Sequence, residues 1–314
     1  MPLRTPALVF RLRRRSPRAS AADHREGLIS PRDWRRTEVR WLVGGGQALL
    51  LVLLFLIGLG PLLWLAKSSL TPTLDTLIHP MGLFPGGATW RNMSEAWFNV
   101  DVGLYFWNTV VLAIGSWAMQ IFVAATGGFV LSVLRPKYAR VITAMMLGTL
   151  FVPVVVLLVP LYVLVVHPPL IHHSLIDSYW AVWLPAGASA FNVIIVKRFF
   201  DNLPRELFEA AEIDGAGPIR LFFSVVLPLS KPILGVISIF AILAEWRNFL
   251  WPLLVITNPD RQPLSVRLPQ IFQSTDLGVL IAAMFIASLV PIGAFLIFQR
   301  SFLRGSGLGG ALKG

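Results

Sequence analysis

The residues best equipped for chemistry in this chain stand inside an apolar segment. "EWRNFLW" at 245–251 places Glu245, Trp246, Arg247, Asn248 and Trp251 within one short stretch. A carboxylate, an amide and indole rings together suit a polyhydroxylated solute: the polar groups hydrogen-bond hydroxyls, and the rings cover C–H faces. Arg247 and Trp251 are four residues apart, so on a helix they share a face and are expected to stack. A second reading stays open, in which these groups mark a membrane–water interface, where Trp is enriched and Arg snorkels. Asn192 and Tyr162 are further candidates for a solute path, and Arg247 would favour a phosphorylated or acidic solute.

The other unusual passage is "ELFEAAEIDGAGPIRLFFSVVLPLSKP" at 206–232, charged and hinged between apolar neighbours. Pro204 suits a first helical turn, with Asp201 or Asn202 as the cap. Leu203, Leu207, Ala210 and Ala211 then form one apolar stripe, with Arg205, Glu206, Glu209 and Glu212 on the rest of the surface. Gly215 can take the positive φ that ends a helix, and Pro218 can open a second helix through Phe222, Phe223 and Val226 to Pro228. A helix lying on lipid usually carries Lys and Arg on its polar face. This one presents Glu206, Glu209, Glu212 and Asp214, so a protein partner fits it better than an anionic lipid surface.

Other chemistries find no support. There is no His-Glu-x-x-His, no Gly-x-Ser-x-Gly and no phosphate-binding Gly-x-x-x-x-Gly-Lys-[Ser/Thr] loop. The glycines of "WLVGGGQ" at 44–46 lack the following lysine and suit close helix packing or a flexible entry to the span. His172 and His173 have Asp177 nearby, but adjacent histidines point apart and no second ligand pair accompanies them. The absence of cysteine excludes disulfides and thiolate sites.

The elements that must position these residues are membrane helices. Of 314 residues 55% are hydrophobic and only 14% charged, far from the balance of a soluble domain. Apolar runs long enough to cross a bilayer fall at 41–66, 104–134, 141–166, 177–197, 233–256 and 277–299, which makes an all-α polytopic membrane protein of six transmembrane helices. Pro153, Pro160 and Pro185 interrupt the third and fourth runs, which membrane helices tolerate. Residues 1–40 form a basic tail with eleven arginines against four acids, and basic segments remain on the cytoplasmic side. Starting inside, the basic segments at 135–140 and 197–232 and the C-terminal tail also fall inside, gathering 22 of the 27 basic residues with both termini cytoplasmic. The first run is too long for a signal-peptide core and should remain as an anchor. The loop at 67–103 is expected to carry short helices near Trp90 to Phe98, and the remaining outer loops are short.

"EAAEIDGAGPIRLFFSVVLP" resembles the EAA signature of ABC-importer permeases: Glu209, Ala210 and Ala211, then Gly215, Val225 in place of the usual isoleucine, and Leu227-Pro228. "FVPVVVLLVPLYVLV" at 151–165, "KRFFDNLPRELFEAAEIDGAG" at 197–217, "EWRNFLWPLLVI" at 245–256 and "GGALKG" at 309–314 are similar to the carbohydrate-importer subfamily, the maltose and glycerol-3-phosphate type. One departure is Arg247, where that pattern usually has Asn.

The resemblance implies a type I ABC importer transmembrane domain at 41–314, with its family-like core over 104–300 and a coupling loop over 200–230. It implies an inner-membrane permease that is not an enzyme and holds no cofactor, ATP and Mg being bound by a separate ATPase dimer. Leu207, Glu209, Ala210, Ala211, Asp214, Gly215 and Ala216 would dock the coupling helix in that ATPase. A second, different permease chain, an extracytoplasmic solute-binding protein and a sugar substrate complete the expected assembly, which would work by alternating access. Two other classes fit less well. A self-sufficient secondary transporter or channel should carry paired ionisable groups within its spans, and few accompany Glu245 and Arg247. A nucleic-acid binder should pair the basic tail with an aromatic reading surface, so no nucleic-acid partner is expected.

Overall fold

A computed structural model describes residues 37–307 of the chain. The basic stretch 1–36 and the terminal "GGALKG" lie outside the described residues. The chain divides into two units, residues 1–59 and 60–314.

The first unit holds the start of α1 (Thr37–Ser69). Leu49, Leu51, Phe55 and Ile57 on it are all exposed, an arrangement stable in hydrocarbon, where every helical backbone group is already satisfied.

The second unit is organised on one long helix. After α2 (Thr73–Ile78) and α3 (Arg91–Ser94), which continues as a π turn over Glu95–Asn99, comes α4 (Val102–Phe129). It runs on through a π turn at Val130–Leu134 to make 33 residues in all, about 50 Å at helical rise. Each of three core clusters takes residues from α4: Val102 and Tyr105 in one, Leu112 in the second, Ala124, Ala125 and Phe129 in the third. The helix can pack this closely because Gly128 lets α8 approach. A Cβ at Gly128 would sit 2.9 Å from Val196 Cγ1 and 3.1 Å from the Lys197 amide nitrogen.

The later spans are bent rather than straight. α5 (Ala139–Thr149) and α6 (Val154–Val166) meet at 111°, with Pro153 in extended backbone between them. α7 (Trp180–Gly187) and α8 (Ala190–Asp201) meet at 42°, and Ser189 caps α8 by accepting from the Asn192 amide. α9 (Glu206–Ile213) follows. Then α10 (Pro218–Leu221), a π turn over Phe222–Val226 and α11 (Leu227–Leu229) lead at 75° into α12 (Lys231–Trp246). α13 (Leu250–Val255), α14 (Leu264–Ile271) and α15 (Leu277–Gly307) complete the unit. Among the described residues three helices are long and apolar enough to cross a membrane, and six spans result when each bent pair counts as one.

Hydropathy therefore located the spans but not their breaks. The run at 141–166 is two helices at a wide angle, because Pro153 lacks the N–H to continue the preceding helix and disfavours helical backbone at the residue before it. The run at 233–256 stops at Trp246 and resumes only at Leu250. The expected short helices near Trp90 to Phe98 are present. The segment after Ile256, read as a short loop, instead contains α14, whose Arg267 hydrogen-bonds Tyr105 on α4 at 3.2 Å and stacks 5.0 Å from its ring centroid.

Candidate functional site

The hinge at 201–218 is built from the α8 terminus outward. The expected cap at Asp201 or Asn202 is not there: Asp201 is the last residue of α8, Asn202 its C-cap, and α9 begins at Glu206 with Arg205 as N-cap. Asp201 is instead a clasp. Lys197 Nζ donates to it at 2.7 Å, Ser132 Oγ at 2.7 Å and Arg135 Nη2 at 3.4 Å, tying α8 to the end of the α4 span. The Lys197–Asp201 spacing of four was a legible signal for half of this. The contribution of Ser132 and Arg135 comes only from the fold.

The α9 stripe also differs from expectation. Leu203, Phe208 and Ala211 pack on the core cluster around Phe200 and Leu221. Leu207 and Ala210, expected beside them, are exposed, as is Ile213 at 87%. Leu203 and Ala211 pack as expected, while Phe208 takes the inward place expected of Leu207 and Ala210. The outcome is an apolar ridge of Leu207, Ala210 and Ile213 beside Glu206, Glu209, Glu212 and Asp214, all exposed.

The end of α9 follows local rules closely. Gly215 has φ +76, its amide donates to Glu212 O at 3.0 Å, and the Ala216 amide donates to Ala211 O at 2.9 Å. This hydrogen-bond pair is the Schellman arrangement, which satisfies the last carbonyls of a helix through a left-handed residue. Pro218 then occupies the first turn of α10, where a missing N–H costs nothing.

The residues considered for a solute path scatter around the break after α12. Glu245 is buried, faces Ser116 on α4 and lies 3.4 Å from Asn248 Nδ2. Asn248 is held in turn by Ser265 Oγ, which donates to its carbonyl at 2.7 Å. Arg247 caps α12, exposed, with Nε 3.3 Å from Leu243 O. It does not stack on Trp251, because the helix breaks between them and Trp251 is buried, donating to Ala181 O at 3.0 Å. Trp246 packs edge-on to Phe106 at 5.9 Å in a different cluster. Asn192 lies inside the α4–α8 contact with its amide on Gln120 Oε1 at 2.8 Å, and Tyr162 is exposed on α6. The structure thus brings Glu245 and Asn248 together, with Ser116 missed by sequence, and keeps the others apart.

At the opposite end of α4, Asp177 has φ +60 and laces two loops. It accepts from Thr257 N at 2.6 Å, Thr257 Oγ1 at 2.7 Å and Asn258 N at 2.7 Å, while Arg261 donates to its carbonyl. Asn108 on α4 extends the lacing by donating to Asp260 O and Gln262 O and accepting from Tyr179 OH. Burial pushes the Asp177 carboxyl up, but the hydrogen bonds from Thr257 and Asn258 and the Arg261 charge outweigh it and hold the group below its usual value. Asp177 thus has structural partners rather than the histidines beside it, and no metal-binding cluster occurs among the described residues.

Residues 124–304 match the family model of the binding-protein-dependent transport system inner membrane component. The chain belongs to that family. This permease is 31% identical to the sn-glycerol-3-phosphate transport system permease protein of Pectobacterium atrosepticum, over 72% of this chain and 82% of that protein. It is 32% identical to the diacetylchitobiose uptake system permease protein of Streptomyces coelicolor, over 80% and 83% respectively. Its fold is shared with the crystal structure of a bacterial ABC transporter involved in the import of the acidic polysaccharide alginate. The TM-score is 0.73 and the sequence identity 18%, over 84% of this permease and 98% of that chain. The chain is thus an inner-membrane ABC-importer permease subunit rather than an enzyme, and the matched region contains α8, the α9 hinge and the α12 break.

Proposed function

We propose that this permease forms half of the pathway for a sugar or sugar-like solute, and that the 206–218 hinge is where an ATPase dimer pushes on it. The observation that carries the coupling role is the exposed Leu207, Ala210 and Ile213 ridge, flanked by acids and capped rigidly at Gly215. An apolar ridge at a polar surface suits a protein cleft, and the Asp201 clasp would carry a push on α9 into α8 and α4. ATP and Mg would be held by that partner. A second, different permease would complete the pathway, and an extracytoplasmic binding protein would deliver solute. Both termini would be cytoplasmic, on the charge distribution.

The sugar class is supported by relatives named for diacetylchitobiose and lactose transport, the latter from Rhizobium radiobacter. Glu245 and Asn248, polar groups at a helix break inside a span, suit hydroxyl recognition. Arg247, Trp246, Trp251, Asn192 and Tyr162 remain pathway candidates, and Arg247→Ala should alter competition between neutral sugars and glycerol phosphates. The decisive experiment reconstitutes the permeases with the ATPase and binding protein in vesicles. Uptake should require ATP on the ATPase side. Uptake by the permease alone down an ion gradient would overturn the reading.

A further inference from the structure

One cavity lies where the α4 span ends, on the α5 side of the Asp201 clasp. Arg135 takes φ +45 directly after the π turn and breaks the helix. The chain then reverses through Pro136 into α5, which packs beside α8. Between them is a cavity of about 910 Å³. Arg135, Lys137, Arg140 and Lys197 line its polar side, Val141 and Leu147 its apolar side. The carboxylate among its lining residues is Asp201, already bonded to Lys197 at 2.7 Å and 3.4 Å from Arg135. Four cations against one carboxylate leave the pocket positive. Lys137 and Arg140 are both exposed at its rim.

We propose that this pocket binds an anionic phospholipid, with the phosphate against Lys137 and Arg140 and an acyl chain along Val141 and Leu147. The position fits, because the end of a membrane-crossing helix lies at headgroup depth. Basic pockets between helices at that depth hold anionic headgroups, each nearby cation contributing favourably. The lining also fits an amphiphile rather than a soluble anion. Its apolar side continues into exposed Val141 and Met145 on α5, 61% and 67% accessible, which a bilayer would cover with hydrocarbon. Inorganic phosphate would use the cations and leave that wall empty. The pocket shares Arg135, Lys197 and Asp201 with the clasp, but the phosphate contacts assigned to Lys137 and Arg140 take no part in the coupling role assigned to α9.

The test is native mass spectrometry of the assembled complex, titrated separately with phosphatidylglycerol and phosphatidylcholine. Phosphatidylglycerol should bind more tightly, and the Lys137→Gln/Arg140→Gln pair should weaken it roughly 30-fold, about 5-fold for each cation removed. The charge-matched control, Arg220→Gln/Lys231→Gln, lies outside the pocket and should leave the preference intact. Lys137→Arg/Arg140→Lys should retain binding and so exclude misfolding as the cause. Equal binding of the two lipids, equal loss in both double variants, or displacement by millimolar inorganic phosphate alone would each overturn the proposal. So would a complete complex that takes up no phosphatidylglycerol because a protein partner covers the pocket.

Discussion

Replacing Gly215 by valine probes the hinge with little ambiguity, since nothing lies within 4 Å of a Cβ built there. No clash with the rest of the protein complicates the result. The cost is conformational: at φ +76 a residue with a Cβ is disfavoured by roughly 1–2 kcal/mol, and more when β-branched. Relaxing φ would also break the bonds from Gly215 N to Glu212 O and from Ala216 N to Ala211 O, each worth about 0.5–1.5 kcal/mol net. These costs are alternatives, strain if φ is kept and lost bonds if it relaxes, so the capped knuckle is disfavoured by about 1–3 kcal/mol, a depletion of roughly 5- to 150-fold. The assay compares binding-protein-stimulated ATP hydrolysis and vesicle uptake in the assembled complex, alongside thermal melting. Gly215→Val should lose stimulation and uptake while the melting temperature barely changes, because α9 buries no residue completely. Gly215→Asn should restore most of the activity, since Asn tolerates the left-handed region. Equal impairment in both variants, or wild-type coupling in Gly215→Val, would refute the reasoning.

Two further outcomes follow from the packing and the lacing. Gly128→Val should lower stability by about 1–3 kcal/mol by overpacking the α4–α8 contact, seen as a lower melting temperature, because a Cβ there already meets Val196 Cγ1 at 2.9 Å; unchanged melting would mean that the contact is loose. Asp177→Asn should destabilise the loop clip at neutral pH. The folded carboxyl lies below its ordinary value of 3.8, so its contribution is complete above that value and disappears as pH falls through the lower folded one. The wild-type advantage in melting should therefore shrink in acid, and an advantage that grew there would contradict the assignment.

The hinge was the most legible part of the chain because its chemistry is local. Gly215 and Pro218 specify a helix stop and a helix start whatever surrounds them. Pro204 misled for the same kind of reason: it permits a helix start but does not require one, and the Asp201 clasp with Ser132 and Arg135, 69 and 66 residues away, draws Asp201 into α8 instead. On α9 the residue that packs inward is Phe208 rather than Leu207. Long-range partners also explain the break after Trp246. Trp246 packs on Phe106 of α4, while Trp251 is held by α7, so one straight helix could not serve both. Hydropathy counts apolar residues and is blind to such choices of partner.

Because the chain contains no cysteine, Ala210→Cys supplies a unique attachment point on the exposed ridge of α9. A short photo-crosslinker placed there in the assembled complex should capture the ATPase subunit, while the same label at Leu170→Cys, 93% exposed between α6 and α7, should not. If residue 210 crosslinked only to lipid or to the second permease in every nucleotide state, the coupling role assigned to this hinge would be contradicted.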